Sequence, residues 1–358
     1  MGGDLGPAAM VRAACEITRE TDIHCILVGD PDAIRPQLAR FAFNEPQISL
    51  FPTLDAIGMH EDPKEAVRRK PTASVIKAAR LVAGLKADAM VTAGNTGAAV
   101  LACHLNFPKL PGVRRTGLAA VYPTAPRPHN PDVFALLLDV GATVHCEADD
   151  LVYFAYMGSA YASKISKVPS PTVGLLNIGT EAHKGGPVLA EAHRLLKCAP
   201  GLNFIGNVEG MDIPKGTADV IVCEGMLGNV VLKMLEGVGE VVASLGAQAY
   251  KKRLLWKLGM IALSGGIKQV REATDYSSYG GAPVFGFERL CIKAHGRSNH
   301  VAVKNAIKVA AKAVRDDVIG HTERGILEFQ RLRAERGETA EPRAEAAPAA
   351  ARDELPNV

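Results

Sequence analysis

The sequence predicts an α/β protein: a doubly wound, mostly parallel sheet, with two lobes around a cleft. Three observations predict it. Short apolar runs alternate with longer helical patterns, the order of repeated βαβ units. Most runs are continuously apolar, as expected where helices cover both faces of a sheet. Hydrophobic residues make up 47 % of the 358 residues and aromatics only 5 %, so small aliphatic side chains must fill a large core.

The elements follow in order. A helix is predicted over 7–20. Residues 23–29 (IHCILVG) read as a buried strand, and Asp30-Pro31 then starts a helix with proline at its first position. Further strands are expected at 89–93, 117–122, 133–140, 172–178, 203–205 and 219–223. Helices are expected at 72–85, 95–104, 148–164, 186–197, 228–247 and 298–319. From Ala334 to Val358 the chain is rich in Ala, Glu, Arg and Pro, and reads as a disordered tail behind one domain of residues 1–333. No internal repeat is visible.

Composition excludes several classes of function. A net charge of +3 is too small to argue for nucleic acid. Cys15, Cys25, Cys103, Cys146, Cys198, Cys223 and Cys291 form no CxxC, and no histidine stands at ligand spacing beside them. Reduced thiols in a cytosolic protein are expected, with no metal. No basic leader precedes the first helix and no run of 18 apolar residues occurs, which favours the cytoplasm. GxGxxG with its distal acid, GxxxxGK[ST] and GxSxG are all missing, so a dinucleotide, P-loop or serine acyl-enzyme reading has no support.

Five glycine-polar clusters stand at predicted strand ends: residues 2–4 (GGD), 93–97 (AGNTG), 139–142 (DVGA), 177–181 (NIGTE) and 224–229 (EGMLGN). Glycine lets backbone N–H groups approach an anion, and a following helix adds roughly half a positive charge. Any one of these is an ordinary strand-to-helix turn. Converging on one sheet edge, they would make an anion-binding cleft.

These clusters lie within longer runs: EAVRRKPTAS at 65–74, AGNTGA at 93–98, LLLDVGA at 136–142, YMGSAYA at 156–162, GLLNIGTE at 174–181, NFIGNVEG at 203–210, ADVIVCEGMLGNVVLK at 218–233, DYSSYGGAPVFG at 275–286 and IKAHGRSN at 292–299. Together with MGGD at 1–4 they resemble the phosphate acyltransferase (PlsX) family of bacterial phospholipid synthesis, up to about Arg324. The resemblance implies a fold like isocitrate and isopropylmalate dehydrogenases and phosphotransacetylases. It implies a homodimer without metal or organic cofactor, and transfer of a fatty acyl group from acyl carrier protein to inorganic phosphate. The acyl phosphate would then feed acylation of glycerol 3-phosphate. In one respect the sequence departs from the pattern: Met1 coincides with a methionine that usually follows an apolar strand, a strand expected inside the sheet.

The reaction needs a bound phosphate, a polarised thioester carbonyl and a thiolate leaving group. Lys184 is the candidate cation for phosphate or the developing oxyanion, and Asn229 the candidate donor to the carbonyl oxygen. Asp139 and Glu181 are candidates to orient the lysine or take a proton from phosphate, and His295 to bind anion or act as acid. Gly3, Asp4, Gly94, Asn95, Thr96, Gly97, Asn177, Gly179, Thr180 and Gly228 are candidates to line the phosphate or substrate site. Each also has an ordinary account: a solvated lysine, N-caps at Asn95 and Asn229, an ion pair at Asp139 or Glu181, a structural histidine. Carrier proteins are acidic, so Arg68, Arg69 and Lys70, or Arg114-Arg115, are expected to dock one. In 250–264 (YKKRLLWKLGMIALS), Leu254, Leu255 and Trp256 stand beside basic residues, suited to peripheral membrane contact or to a packing helix. The rivals are a phosphotransacetylase-like enzyme using acyl-coenzyme A, a decarboxylating dehydrogenase, and a non-catalytic membrane scaffold recruiting carrier protein.

Overall fold

Side-chain caps set several helix starts: Asp30, Asp62, Asn95 and Asn299 each accept a backbone N–H from the first turn that follows. In this computed structural model, residues 1–126, 133–252, 259, 262–266 and 280–338 are described. The order is α1 (Pro7–Glu20), β1 (Cys25–Gly29), α2 (Pro31–Leu38), β2 (Ile48–Pro52), α3 (Pro63–Arg69), α4 (Ser74–Ala83), β3 (Ala89–Thr92), α5 (Thr96–Asn106), β4 (Gly117–Pro123) and β5 (Phe134–Leu138). There follow α6 (Ala148–Lys164), β6 (Thr172–Leu176), α7 (Gly186–Lys197), β7 (Asn203–Val208), β8 (Val220–Val222), α8 (Gly225–Lys252), β9 (Ala282–Phe285), β10 (Leu290–Lys293), α9 (His300–Arg315) and α10 (Val318–Glu335).

Eight strands form one sheet in the order β3-β10-β9-β4-β5-β8-β6-β7, and β1 pairs with β2 in a separate parallel ribbon. Burial explains the continuous apolar runs. Leu136 and Leu138 of β5 enter a core with α6 and α10, alongside Phe154, Met157, Ile326 and Phe329. Ala135 and Leu137 point the other way, into a core with Ile76, Val82 and Leu101 of α4 and α5 and Leu232 of α8. Both faces are buried, so both sets of alternate positions must be apolar.

Strand direction corrects one expectation. β10 runs parallel to β3, while β5, β8, β6 and β7 run parallel to one another. Between these blocks β9 and β4 pair antiparallel, and β10–β9 and β4–β5 are also antiparallel. The carboxyl ends of β3 and β10 therefore lie on one edge, and those of β5, β8 and β6 on the opposite edge. The five loops do not converge on one edge.

β1 and β3 turn unpaired edges toward each other across a largely apolar cavity of about 580 Å³. Met1 stands at the cavity with its side chain over Gly29, and burial lowers the pKa of its amino group.

Other differences are local. β2, β9 and β10 escaped notice because runs of four or five residues carry little periodicity. The helix expected over 298–319 is two helices, broken where Asp317 takes a left-handed conformation (φ 50°) and caps α10 through Gly320 N–H. α10 continues through Glu335, so the expected tail begins too early; its residues from 339 on lie outside those described. Five cysteines are buried, but Cys198 is exposed.

Candidate functional site

Asp139 closes β5 and is fully buried. Its Oδ1 accepts N–H bonds from Leu118 (2.9 Å), Gly141 (3.0 Å) and Ala142 (3.0 Å). Its Oδ2 accepts from both Thr143 N–H and Thr143 Oγ1, each at 2.8 Å. Burial pushes its pKa up, and these donors pull the other way. Five donors take up the lone pairs of one carboxylate. Asp139 is thus a tie between β4 and the loop after β5, neither a lysine partner nor an open proton acceptor.

That tie seats α8. Thr143 Oγ1 accepts Gly225 N–H at 3.0 Å. A Cβ on Gly228 would stand 1.9 Å from the Asp139 carbonyl oxygen, so only glycine permits this approach. α8 begins at Gly225, three residues before the expected start, so Asn229 lies inside the helix and is no N-cap. It is exposed and covers Gly141, where a Cβ would lie 3.7 Å from Asn229 Cγ.

On the same edge, the loop after β6 is held by two amides. Asn177 Nδ2 donates to Lys184 O at 3.0 Å, and Asn207 Nδ2 to Glu181 O at 2.8 Å. Gly179 is buried beneath the Glu181 carboxylate and the aliphatic stem of Lys184, while Thr180 is exposed. Gly179 and Lys184 come together; neither touches Asn229 in any described bond.

The opposite edge gathers another cluster. Asp4 N–H donates to Gly296 O at 3.1 Å, Gly3 lies on Ala93 O, and Gly2 abuts Ile57 O and Gly94. Asn95 caps α5 by accepting Ala98 N–H at 3.0 Å, and its Nδ2 donates to Met59 O (3.3 Å) and Glu61 O (3.1 Å). The Asn95 side chain is therefore engaged in capping α5 and in holding the 58–61 loop. Thr96 and Gly97 head α5, where amides lack intrahelical acceptors; Gly97 packs on Pro63. Lys70 bonds Glu61 Oε1 at 2.7 Å and Ala56 O at 2.9 Å, so it braces the same loop instead of offering a docking charge. Arg68 and Arg69 are exposed on α3.

α8 joins the two clusters. Cys291 lies opposite Val284, and Val284 opposite Leu118, whose N–H reaches Asp139. Lys293 thus stands roughly 7 Å beyond the Asp139 rung and roughly 14 Å across it. From Gly228 on Asp139, α8 runs one and a half turns to Lys233, which interacts electrostatically with both Lys293 and His295.

Lys293 went unnoticed in the sequence. It is 7 % exposed, and its pKa falls to about 8, through burial first and then Lys233, with Cys291 and Asp4 opposing. The available signal was a lysine in phase with Cys291 on an otherwise apolar strand, LCIK. His295 is exposed at the rim; burial, then Lys293 and Lys233, lower its pKa, against Glu236. The thiols beside Asp139 are unsuited to attack: burial pushes Cys146 up to about 12 and Cys223 well above the usual thiol range. Leu254, Leu255 and Trp256 lie outside the described residues.

A family model described as fatty acid synthesis protein matches residues 1–321. The phosphate acyltransferase of Dictyoglomus turgidum is 41 % identical over 320 residues, covering 89 % of this chain and 93 % of that protein. That of Synechocystis sp. is 38 % identical over 318 residues, covering 89 % and 90 %. Among solved structures, a phosphotransacetylase from Streptococcus pyogenes superposes with a TM-score of 0.58 at 16 % identity, covering 87 % of this chain and 92 % of that one. The EutD phosphotransacetylase of Staphylococcus aureus gives 0.56 at 14 % identity, covering 86 % and 91 %. At such identities these structures establish the fold alone.

Proposed function

The chain belongs to the fatty acid synthesis protein family, and from that premise we propose that it transfers a fatty acyl group from acyl carrier protein thioester to inorganic phosphate. The observation that carries the reading is the course of α8, which exposes Asn229 near its start and, one turn on, carries Lys233 within electrostatic range of Lys293 and His295. Hydrogen-bond donors and cations in such a row suit an anion that must meet a carbonyl.

In this reading a phosphate oxygen attacks the thioester carbon directly. The C–O bond forms, the C–S bond breaks, and sulfur leaves with the electron pair. A thiol pKa of ~8.5 makes that departure easy without a protein acid. Asn229 donates to the developing oxyanion and Lys184 supplies positive charge from the β6 loop. The raised pKa values of Cys146 and Cys223 support attack without a covalent enzyme intermediate. The test is direct. Purified protein, acyl carrier protein thioester and labelled phosphate should yield hydroxylamine-sensitive labelled acyl phosphate. A folded sample that never consumes phosphate refutes the reading. Acyl-coenzyme A is the rival donor. Parallel assays with the two thioesters separate them.

The partner surfaces are also proposed. Met226, Val230, Met234, Val238, Val241 and Leu245 expose an apolar stripe along one face of α8. Their spacing of three to four residues supports pairing with a second copy of the chain. Val230→Glu with Val241→Glu should then convert a dimer to monomer in light scattering; an unchanged mass removes the idea. Arg68 and Arg69 are the proposed docking charges for carrier protein. Among the described residues no helix is long and apolar enough to cross a membrane. Contact of the 250–264 segment with an anionic surface is a proposal, tested by liposome flotation of Leu255→Glu and Trp256→Glu.

A further inference from the structure

We propose that Lys293 is a substrate-binding residue: its ammonium holds the inorganic phosphate that attacks the thioester. The proposal rests on the acyl-transfer reading and adds a residue to it.

Lys293 is more than nine-tenths buried, its Nζ is not sealed from solvent, and no hydrogen bond or ion pair joins it to any described residue. A buried charge ordinarily persists only with a partner, because desolvation otherwise costs several kcal/mol. The surrounding charges do not supply one. Asp4 attracts it from the opening loop, while Lys233 of α8 repels it. His295 lies beside both lysines, with Arg297 and Glu236 near it, and Glu236 already pairs with Lys233 at 2.7 Å. The neighbourhood is short of negative charge, and a phosphate dianion would supply it.

Direction agrees. Cys291 and Lys293 share a face of β10, and Cys291 bonds Cys103 of α5. Lys293 therefore leaves the sheet on the face covered by α5 and α8. Its neighbour across the ladder is Thr92, four residues before Thr96 opens α5. The first-turn amides of Thr96 and Gly97 and the Lys233 side chain thus border the same space. Lys293 stays protonated through the transfer: phosphate supplies the attacking oxygen, and the thiolate takes its proton from solvent.

The test uses the full-length protein with Lys293→Met and Lys293→Gln. Steady-state rates should show the KM for phosphate raised at least tenfold, with the KM for the acyl donor within twofold of wild type. Inorganic phosphate should raise the melting temperature of wild type but not of either variant, against sodium chloride of equal ionic strength. A folded variant whose phosphate KM and phosphate-induced shift both stay within twofold of wild type overturns the proposal. If Lys293→Met does not fold, Lys293→Gln carries the comparison. A wild type that makes no acyl phosphate but shows a Lys293-dependent phosphate shift sinks the reaction reading and leaves this site standing.

Discussion

Two buried charges stand on opposite edges of the sheet in contrasting states. Asp139 meets five donors, and Lys293 meets none among the described residues. Both end apolar strands, and burial opposes the charge of both. The difference teaches that burial alone does not mark a reactive group. A saturated charge fixes a loop; an unsatisfied one leaves a place for a ligand.

The largest expected effect tests the saturated side. Asp139→Ala strands several buried donors at once and should cost about 4 kcal/mol of stability, measured by denaturant titration. A loss below 1 kcal/mol would break the contrast. On the other side, Lys293→Met should raise stability, because it removes a buried unpaired cation. A pKa lowered from 10.5 to about 8 corresponds to about 3 kcal/mol. The sign in pH follows. Below pH 8 both folded and unfolded lysine are charged and the penalty is full. Between pH 8 and 10.5 only the unfolded form holds the proton, so wild-type stability rises with pH. The gap between Lys293→Met and wild type should therefore close across that window, and a pH-independent gap would contradict it. Phosphate affinity should fall over the same range as Lys293 loses its proton.

Next in size, Asn229→Ala and Lys184→Ala should each lower turnover about a hundredfold, near 2.7 kcal/mol, with melting temperature unchanged. Near-normal turnover in folded variants would confine the chemistry to the edge that holds Lys293. Smallest, Arg68→Glu with Arg69→Glu should weaken carrier-protein binding by about 1 kcal/mol at low salt. The difference should vanish at high salt, as exposed charges are screened. Salt-insensitive weakening would point to lost packing instead.

Much of the fold was legible from residues 133–140 and 172–178, because a strand buried on both faces must be apolar at every position. β9 and β10 were not, since Pro283 and Lys293 interrupt their short apolar runs. At the site, the loops around Gly94, Asp139, Gly179 and Gly228 were visible as glycine-polar clusters. Their grouping was not: it depends on β9 and β4, which reverse the strand direction between the two blocks. Asn95 read as a ligand group because its Nδ2 bonds run to the 58–61 loop, far away in sequence, and Lys70 read as a docking charge because its pairing with Glu61 leaves no pattern in the sequence.

By itself, the sequence determined the layered α/β architecture, the helix cap at Asp30 and the family, because these depend on local pattern and composition. Only the tertiary structure decided which charge is satisfied. Asp139 and Lys293 look alike along the chain. Asp139 takes its donors from β4 and from the loop after β5, while Lys293 faces the charges of α8 and the opening loop without a bond, and the solvation of a charge is set by whatever folds around it.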